Sequence, residues 1–283
     1  MSTEPGPTLR KKRLAAEFRR MREAAGLTCE EVAERLLVSA SKISRIETGH
    51  RGVSLRDARD LMDIYGVTDK RQREATMELA REARRRGWWS AYSDLLPGPY
   101  IGLESEASSI CNYQTLTVPG LLQIEEYAQA VIGTGLVVEE AEVARRTAAR
   151  MRRQERLGAP GLAFWAVLDE AAVRRPVGGS DVMVRQLDHL IAMARLPAVT
   201  IQVLPFAAGA YPSMGWPFVI LSFPDQLDHD VVMVENSVGE LYLEKSSEVE
   251  RFRTGFEHFR AAALSPADTL TLLREAARDV LEC

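Results

Sequence analysis

Arg45 lies four residues after Ser41 and beside Ser44, on the side of a short helix that Ile43 and Ile46 do not use. At 3.6 residues per turn, Ala40, Ser41, Ser44 and Arg45 point outward when the two isoleucines point inward. That face is small, polar and basic. A helix of this kind fits the ~12 Å major groove of DNA. The chemistry on offer is the reading of base edges: a guanidinium donates two hydrogen bonds to guanine O6 and N7, worth ~1–3 kcal/mol of discrimination, whereas serine is a weak reader. The amides and hydroxyls at the start of such a helix favour phosphate.

Other chemistry finds little support. The chain has no P-loop, G-x-G-x-x-G, G-x-S-x-G or H-E-x-x-H. His50, His189, His229 and His258 are isolated from one another. His229 sits in Asp228-His229-Asp230, which reads as a turn between strands, since no second histidine stands at ligand spacing. Cys29, Cys111 and Cys283 are scattered without a C-x-x-C, so neither a disulfide framework nor structural zinc is expected. No catalytic, cofactor-binding or metal-ligating residue is assigned, and an enzyme is not expected.

The elements that must position Arg45 follow from periodicity and caps. Leu14, Phe18, Met21 and Ala25 recur on one helical face, with Gly26 as its stop. Thr28 and Glu31 form a capping box for a second helix with Val32, Ala33 and Leu36 inside. Ser39 caps the third helix, which ends near Gly49. Ser54 with Asp57 caps a fourth, with Leu55, Ala58, Leu61, Met62 and Tyr65 inside and Gly66 after it. Residues 10–66 therefore read as several short helices around one small core. A further Arg-rich helix is expected over 69–86, followed by an aromatic connection, Gly87 to Pro99.

Periods mix beyond that point. Helices are expected at 103–112, 119–132, 139–156, 180–195, 246–263 and 266–281, with Cys111 on an apolar helical face. Strands are expected at 162–169, 199–206, 216–223, 230–236 and 240–245. Helices separate the early strands and short turns the late ones, which suggests a mixed sheet.

A chain of 283 residues suggests about two domains. The longest clean apolar run, Leu162 to Leu168, falls far below the ~20 residues of a spanning helix. The opening MSTEPGPT is polar and lacks the pattern of a signal segment; a cytoplasmic location is the default expectation. The net charge of −4 hides an asymmetry: residues 1–86 hold 20 Lys and Arg against 14 Asp and Glu, and residues 87–283 hold 16 against 26. A basic head on an acidic remainder suits a polyanion at the head.

Leu27 to Gly52, with helices on both sides, resembles the Xre/phage-repressor helix-turn-helix domain. Ala33 matches the small residue where two helices cross, Val38-Ser39 the turn, and Ile43, Ile46, Glu47 and Gly49 the recognition helix and its exit. The resemblance implies double-stranded DNA as partner, with a recognition helix at about 39–48. By it Ala40, Ser41 and Arg45 face base edges, with Ser39 and Ser44 on the same helix, and Thr28, Lys42, Thr48 and Arg51 lie near phosphates. It also implies an ion pair between Arg22 and Glu47. Three positions depart from the family. Cys29 and Ala40 stand where paired glutamines are frequent, and Leu37 where glycine is common because the backbone is left-handed; leucine there carries ~1 kcal/mol of strain.

From about residue 81 onward, Trp88-Trp89, the segment from Glu104 to Ala107, VPGLLQ-x-EEYA (Val118 to Ala128) and VTIQVLPF (199–206) resemble the C-terminal domain of WhiJ-like, antitoxin-like actinobacterial regulators. Genes of that group often neighbour one for a small partner protein, which implies a protein-binding role. The fold class expected is multidomain: an all-α helix-turn-helix head and a mixed α/β (α+β) C-terminal domain. The division is 1–9 disordered tail, 10–66 DNA-binding head, 67–98 connecting helix and aromatic linker, and 99–283 regulatory or partner-binding domain. The expected function is a sequence-specific transcriptional regulator acting as a homodimer. The alternative is an antitoxin-like module that binds a small protein, with only weak DNA specificity.

Overall fold

The computed structural model describes residues 9–84, 87–95, 98–135, 139–158, 160–211, 215–224, 229–236 and 239–282. Most of the tail, Arg85-Arg86, Asp228 and Cys283 lie outside the described residues, so the expectations placed on them are not addressed. The chain divides into two compact units, 1–103 and 104–283.

The first unit holds α1 (Leu9–Ala24), α2 (Cys29–Leu36), α3 (Ala40–Glu47), α4 (Leu55–Ile64) and α5 (Lys70–Glu82). Each start after α1 is fixed by a side-chain cap: Thr28, Ser39, Ser54 and Asp69 accept from backbone N–H groups in the first turns of α2, α3, α4 and α5. Such caps matter because an eight-residue helix cannot sustain itself in water. Packing supplies the rest: Phe18, Val32, Ile43, Ile46, Leu61 and Met62 share one buried core. Two expectations are corrected here. Ala25 is exposed, because α1 stops at Ala24 and the chain turns at Gly26 with φ +67°. And α5, expected as a connection, belongs to the head core through Met77, Ala80 and Ala83.

A short 3-10 turn over Trp88–Tyr92 and α6 (Tyr100–Glu106) precede the sheet. In chain order there follow β1 (Ser109–Gln114), α7 (Glu125–Gly133), α8 (Glu140–Gln154), β2 (Ala163–Asp169), α9 (Glu170–Arg174), α10 (Ser180–Met193) and β3 (Val199–Leu204). Then come β4 (Phe218–Ser222), β5 (Val231–Asn236), β6 (Gly239–Leu243), α11 (Ser246–Ala262) and α12 (Pro266–Glu282). The six strands form one mixed sheet in the order β3-β2-β1-β4-β5-β6. Strands β1, β2 and β3 run parallel, joined by helical crossovers. Pairs β1/β4, β4/β5 and β5/β6 are antiparallel. The protein thus has an all-α helix-turn-helix head and an α+β second domain. Phe256 and Phe259 of α11 pack on Tyr113, Val167 and Phe218 of the sheet, with the Tyr113 and Phe259 ring centroids 4.2 Å apart.

The helix expected over 103–112 is corrected: α6 ends at Glu106, and 109–114 is the strand β1, in the middle of the sheet. Cys111 is accordingly a half-buried strand residue. The helix expected over 119–132 is also divided. A 3-10 turn at Gly120–Leu122 passes through extended Gln123 and Ile124 before α7 starts at Glu125. No helix among the described residues is long and apolar enough to cross a membrane.

Candidate nucleic-acid interface

The turn between α2 and α3 is set by Leu37. Its φ of 55° and ψ of 46° make it the one non-glycine residue of positive φ among those described. The Leu37 N–H is donated to Glu34 O, and the Val38 N–H to Ala33 O at 2.9 Å. This left-handed stop reverses the chain within three residues and starts α3 at Ala40. Ala33, 4% exposed, leaves room for the two helices to approach.

A buried ionic clamp holds α3 against α1. Arg22 Nε donates to Glu47 Oε1 and Oε2, each at 2.9 Å. Arg22 Nη1 donates to Leu27 O at 2.7 Å. Tyr65 Oη donates to Glu47 Oε1 at 3.2 Å. The Arg22 and Glu47 side chains retain only 13% and 4% of their exposure. Burial, together with the carboxylate, pushes the Tyr65 phenol well above its ordinary range and keeps it a donor. One carboxylate thus ties α1, α3 and the end of α4 at a fixed angle.

With α3 so held, Ser41, Ser44 and Arg45 are exposed while Ile43 and Ile46 are buried. Ala40 differs from expectation: it is half-buried and packs against the head core, as does Cys29. Both positions carry small groups turned toward the interior. Burial also raises the Cys29 thiol pKa. Lys42 differs too. Its Nζ lies 2.9 Å from Asp57 Oδ2, and both side chains are largely covered. Hydrogen bonding to Lys42 holds the Asp57 carboxyl below its usual range. The ammonium expected to face phosphate is therefore committed to α4.

The hydroxyls divide in the same way. Thr28 accepts from Glu31 N and pairs with the Glu31 carboxylate, which also takes the Thr28 N–H at 2.8 Å. Thr48 Oγ1 donates to Ser44 O at 2.9 Å. Ser39 Oγ accepts from Lys42 N at 3.2 Å. Arg51 is exposed just past α3, its N–H bonded to Arg45 O.

In the second unit, the VPGLLQ segment is a polar-lined loop rather than an open site. Gln123 Nε2 donates to Val118 O, and Tyr127 Oη accepts from Val118 N. Gln186, fully buried, accepts from Ile124 N and donates to Leu122 O. Gln154 donates to Gly120 O, and Arg150 Nη1 to Gln123 Oε1 at 2.6 Å. Arg153 meets Glu104 with two bonds of 2.8 and 2.7 Å. Burial, with Arg153 nearby, brings the Arg150 pKa down to about 10. Buried backbone groups outside regular elements need partners, and here glutamines from α8 and α10 provide them. Nothing in the local pattern of residues 118–128 points to Gln154 or Gln186. Trp88 and Trp89 meet edge to face, centroids 6.2 Å apart, and Trp88 also meets Tyr92. His229 is exposed, and Asp230 pairs with Arg253.

Two family models match the chain. A helix-turn-helix domain covers residues 13–75, and the Domain of unknown function (DUF5753) covers residues 98–275. No curated protein and no solved structure matches it.

Proposed function

The chain belongs to the family of the Domain of unknown function (DUF5753), with a helix-turn-helix domain ahead of it, and on that premise we propose that it is a sequence-specific transcriptional regulator. In this reading the head is of the Xre type and α3 enters the major groove. Arg45 is the principal base reader, Ser41 and Ser44 add weaker contacts, and Ser39, the cap amides and Arg51 meet phosphate. The observation that carries the reading is the outward face of α3. Ser41, Ser44 and Arg45 are exposed on a helix whose other side is locked by Arg22, Glu47 and Tyr65.

The second domain, with its WhiJ-like motifs, takes a protein partner or effector, and a small protein encoded by a neighbouring gene fits that role. Two heads on two half-sites raise affinity above what one poor reader supplies, so the working form is a homodimer. No catalytic step belongs to this reading, and its place is the cytoplasm. The inward Ala40 and the paired Lys42 leave few readers. That favours, as second reading, an antitoxin-like module whose head binds DNA with little specificity.

Randomised-site selection on the full chain separates the two. The regulator reading expects a motif with information at few positions, one of them guanine. Arg45→Ala should flatten that position and cost ~1–3 kcal/mol at the selected site. A selection without any motif favours the second reading. An Arg45→Ala profile equal to wild type overturns the docking.

A further inference from the structure

An α-helix of eight residues is ~12 Å long, close to the width of the groove it would enter. A helix that enters the groove by its first turns leaves its last turn toward the rim, where the sugar-phosphate backbone runs. At the start of α3 the amide groups and Ser39 suit phosphate. At the other end the helix dipole is negative and opposes it, so cations must come from elsewhere in the fold.

They come from three separate segments. Lys11 near the start of α1, Arg51 just past α3 and Arg84 just past α5 line one hollow of about 20 Å³, floored by apolar groups that include Leu14, Ile46 and Val53. The hollow has no acidic residue in its lining. Arg51 and Arg84 are exposed, and Lys11 is half-buried. Arg19, Arg20, Arg22, Lys42, Arg73 and Arg81 of the same unit each face a carboxylate. Among the described residues, no salt bridge or side-chain hydrogen bond engages Lys11, Arg51 or Arg84. Gathering three cations without a counter-charge is unfavourable unless a polyanion supplies it. At about 20 Å³ the hollow has room for about one water molecule, so it does not enclose a small anionic metabolite, and its occupant lies across the rim.

We infer that Lys11, Arg51 and Arg84 form a cradle for the DNA phosphates at the C-terminal end of α3. This inference rests on the DNA-binding reading above and extends it by bringing the start of α1 and the end of α5 into the interface. It also places the loss of Lys42 to Asp57 in context: phosphate charge is met at the far end of α3 instead.

The test uses the full chain and a random-sequence duplex, with affinity measured over a series of salt concentrations. Lys11→Ala and Arg84→Ala should each lower the slope of log affinity against log salt by about 0.9 and weaken all sequences alike. Lys11→Arg should keep the wild-type slope. Arg71→Ala, an exposed arginine in the first turn of α5, at the opposite end from Arg84, should leave the slope unchanged. If the wild type binds with a salt-dependent slope that Lys11→Ala and Arg84→Ala do not alter, the cradle is wrong and the major-groove reading survives. If the wild type shows no salt-dependent binding, both fall together.

Discussion

Glu47 accepts from two residues that lie 25 positions before and 18 positions after it, Arg22 and Tyr65. Removing Arg22 or Glu47 strands a buried charge, so either alanine variant should cost ~3–5 kcal/mol. The double variant should cost much less than the sum, measured as a denaturant double-mutant cycle; additive losses would mean that the pairing contributes nothing. Leu37 carries the opposite kind of effect. The residue is 91% exposed and its backbone is left-handed, so it contributes strain and little burial. Leu37→Gly should raise stability by ~1 kcal/mol, seen as a shifted denaturation midpoint at constant slope. Asp57 sets an acid limb. Its carboxyl titrates lower in the folded chain than its unfolded value of ~3.9. The stabilisation it gives is therefore full above that value and fades as pH falls through the folded pKa. Asp57→Asn should remove this part of the acid sensitivity, read from thermal melts across pH.

At the scale of elements, the head is legible from sequence because its signals are local. Caps at Thr28, Ser39 and Ser54 and apolar steps of three and four lie within single helices. The Arg22–Glu47 pairing has no such local signal and rested on family resemblance. The place of α5 escaped because Met77, Ala80 and Ala83 share their helix with many arginines and glutamates, which read as a solvated connection. Strand β1 escaped for a different reason. Leu103, Ala107 and Ile110 step by four and three and mimic a helix, while Asn112, polar yet 5% exposed, breaks the apolar signature of a central strand. The site was half legible: the outward face of α3 could be read from periodicity, but the covered Ala40 and the Lys42–Asp57 pair depend on what packs beside them. The burial of β1 yields a contrast. Ile110→Ala, at 0% exposure, should cost ~2–5 kcal/mol. Leu241→Ala on β6, at 52% exposure, should stay within ~0.5 kcal/mol. Chemical denaturation of the two variants side by side checks it.

At the scale of the whole molecule, charge divides the chain into a basic segment up to residue 86 and an acidic remainder. That remainder has a plan of its own. Strands β1 to β3 form one side of the sheet and β4 to β6 the other, and the two sides meet along the single β1/β4 pairing. Further ties cross the same division: Leu264 donates to Val203 O, and Val203 N donates to Thr269 Oγ1. The exposed stretch at Gly209-Ala210 joins the sides. A single protease cut there should leave both pieces associated under native conditions, co-eluting on size exclusion and separating only in denaturant; pieces that part spontaneously would show that chain continuity, not the seam, holds the sheet. By the same order of strands, the domain is expected to assemble from two separately produced chains, each half supplying the strand edge that the other lacks.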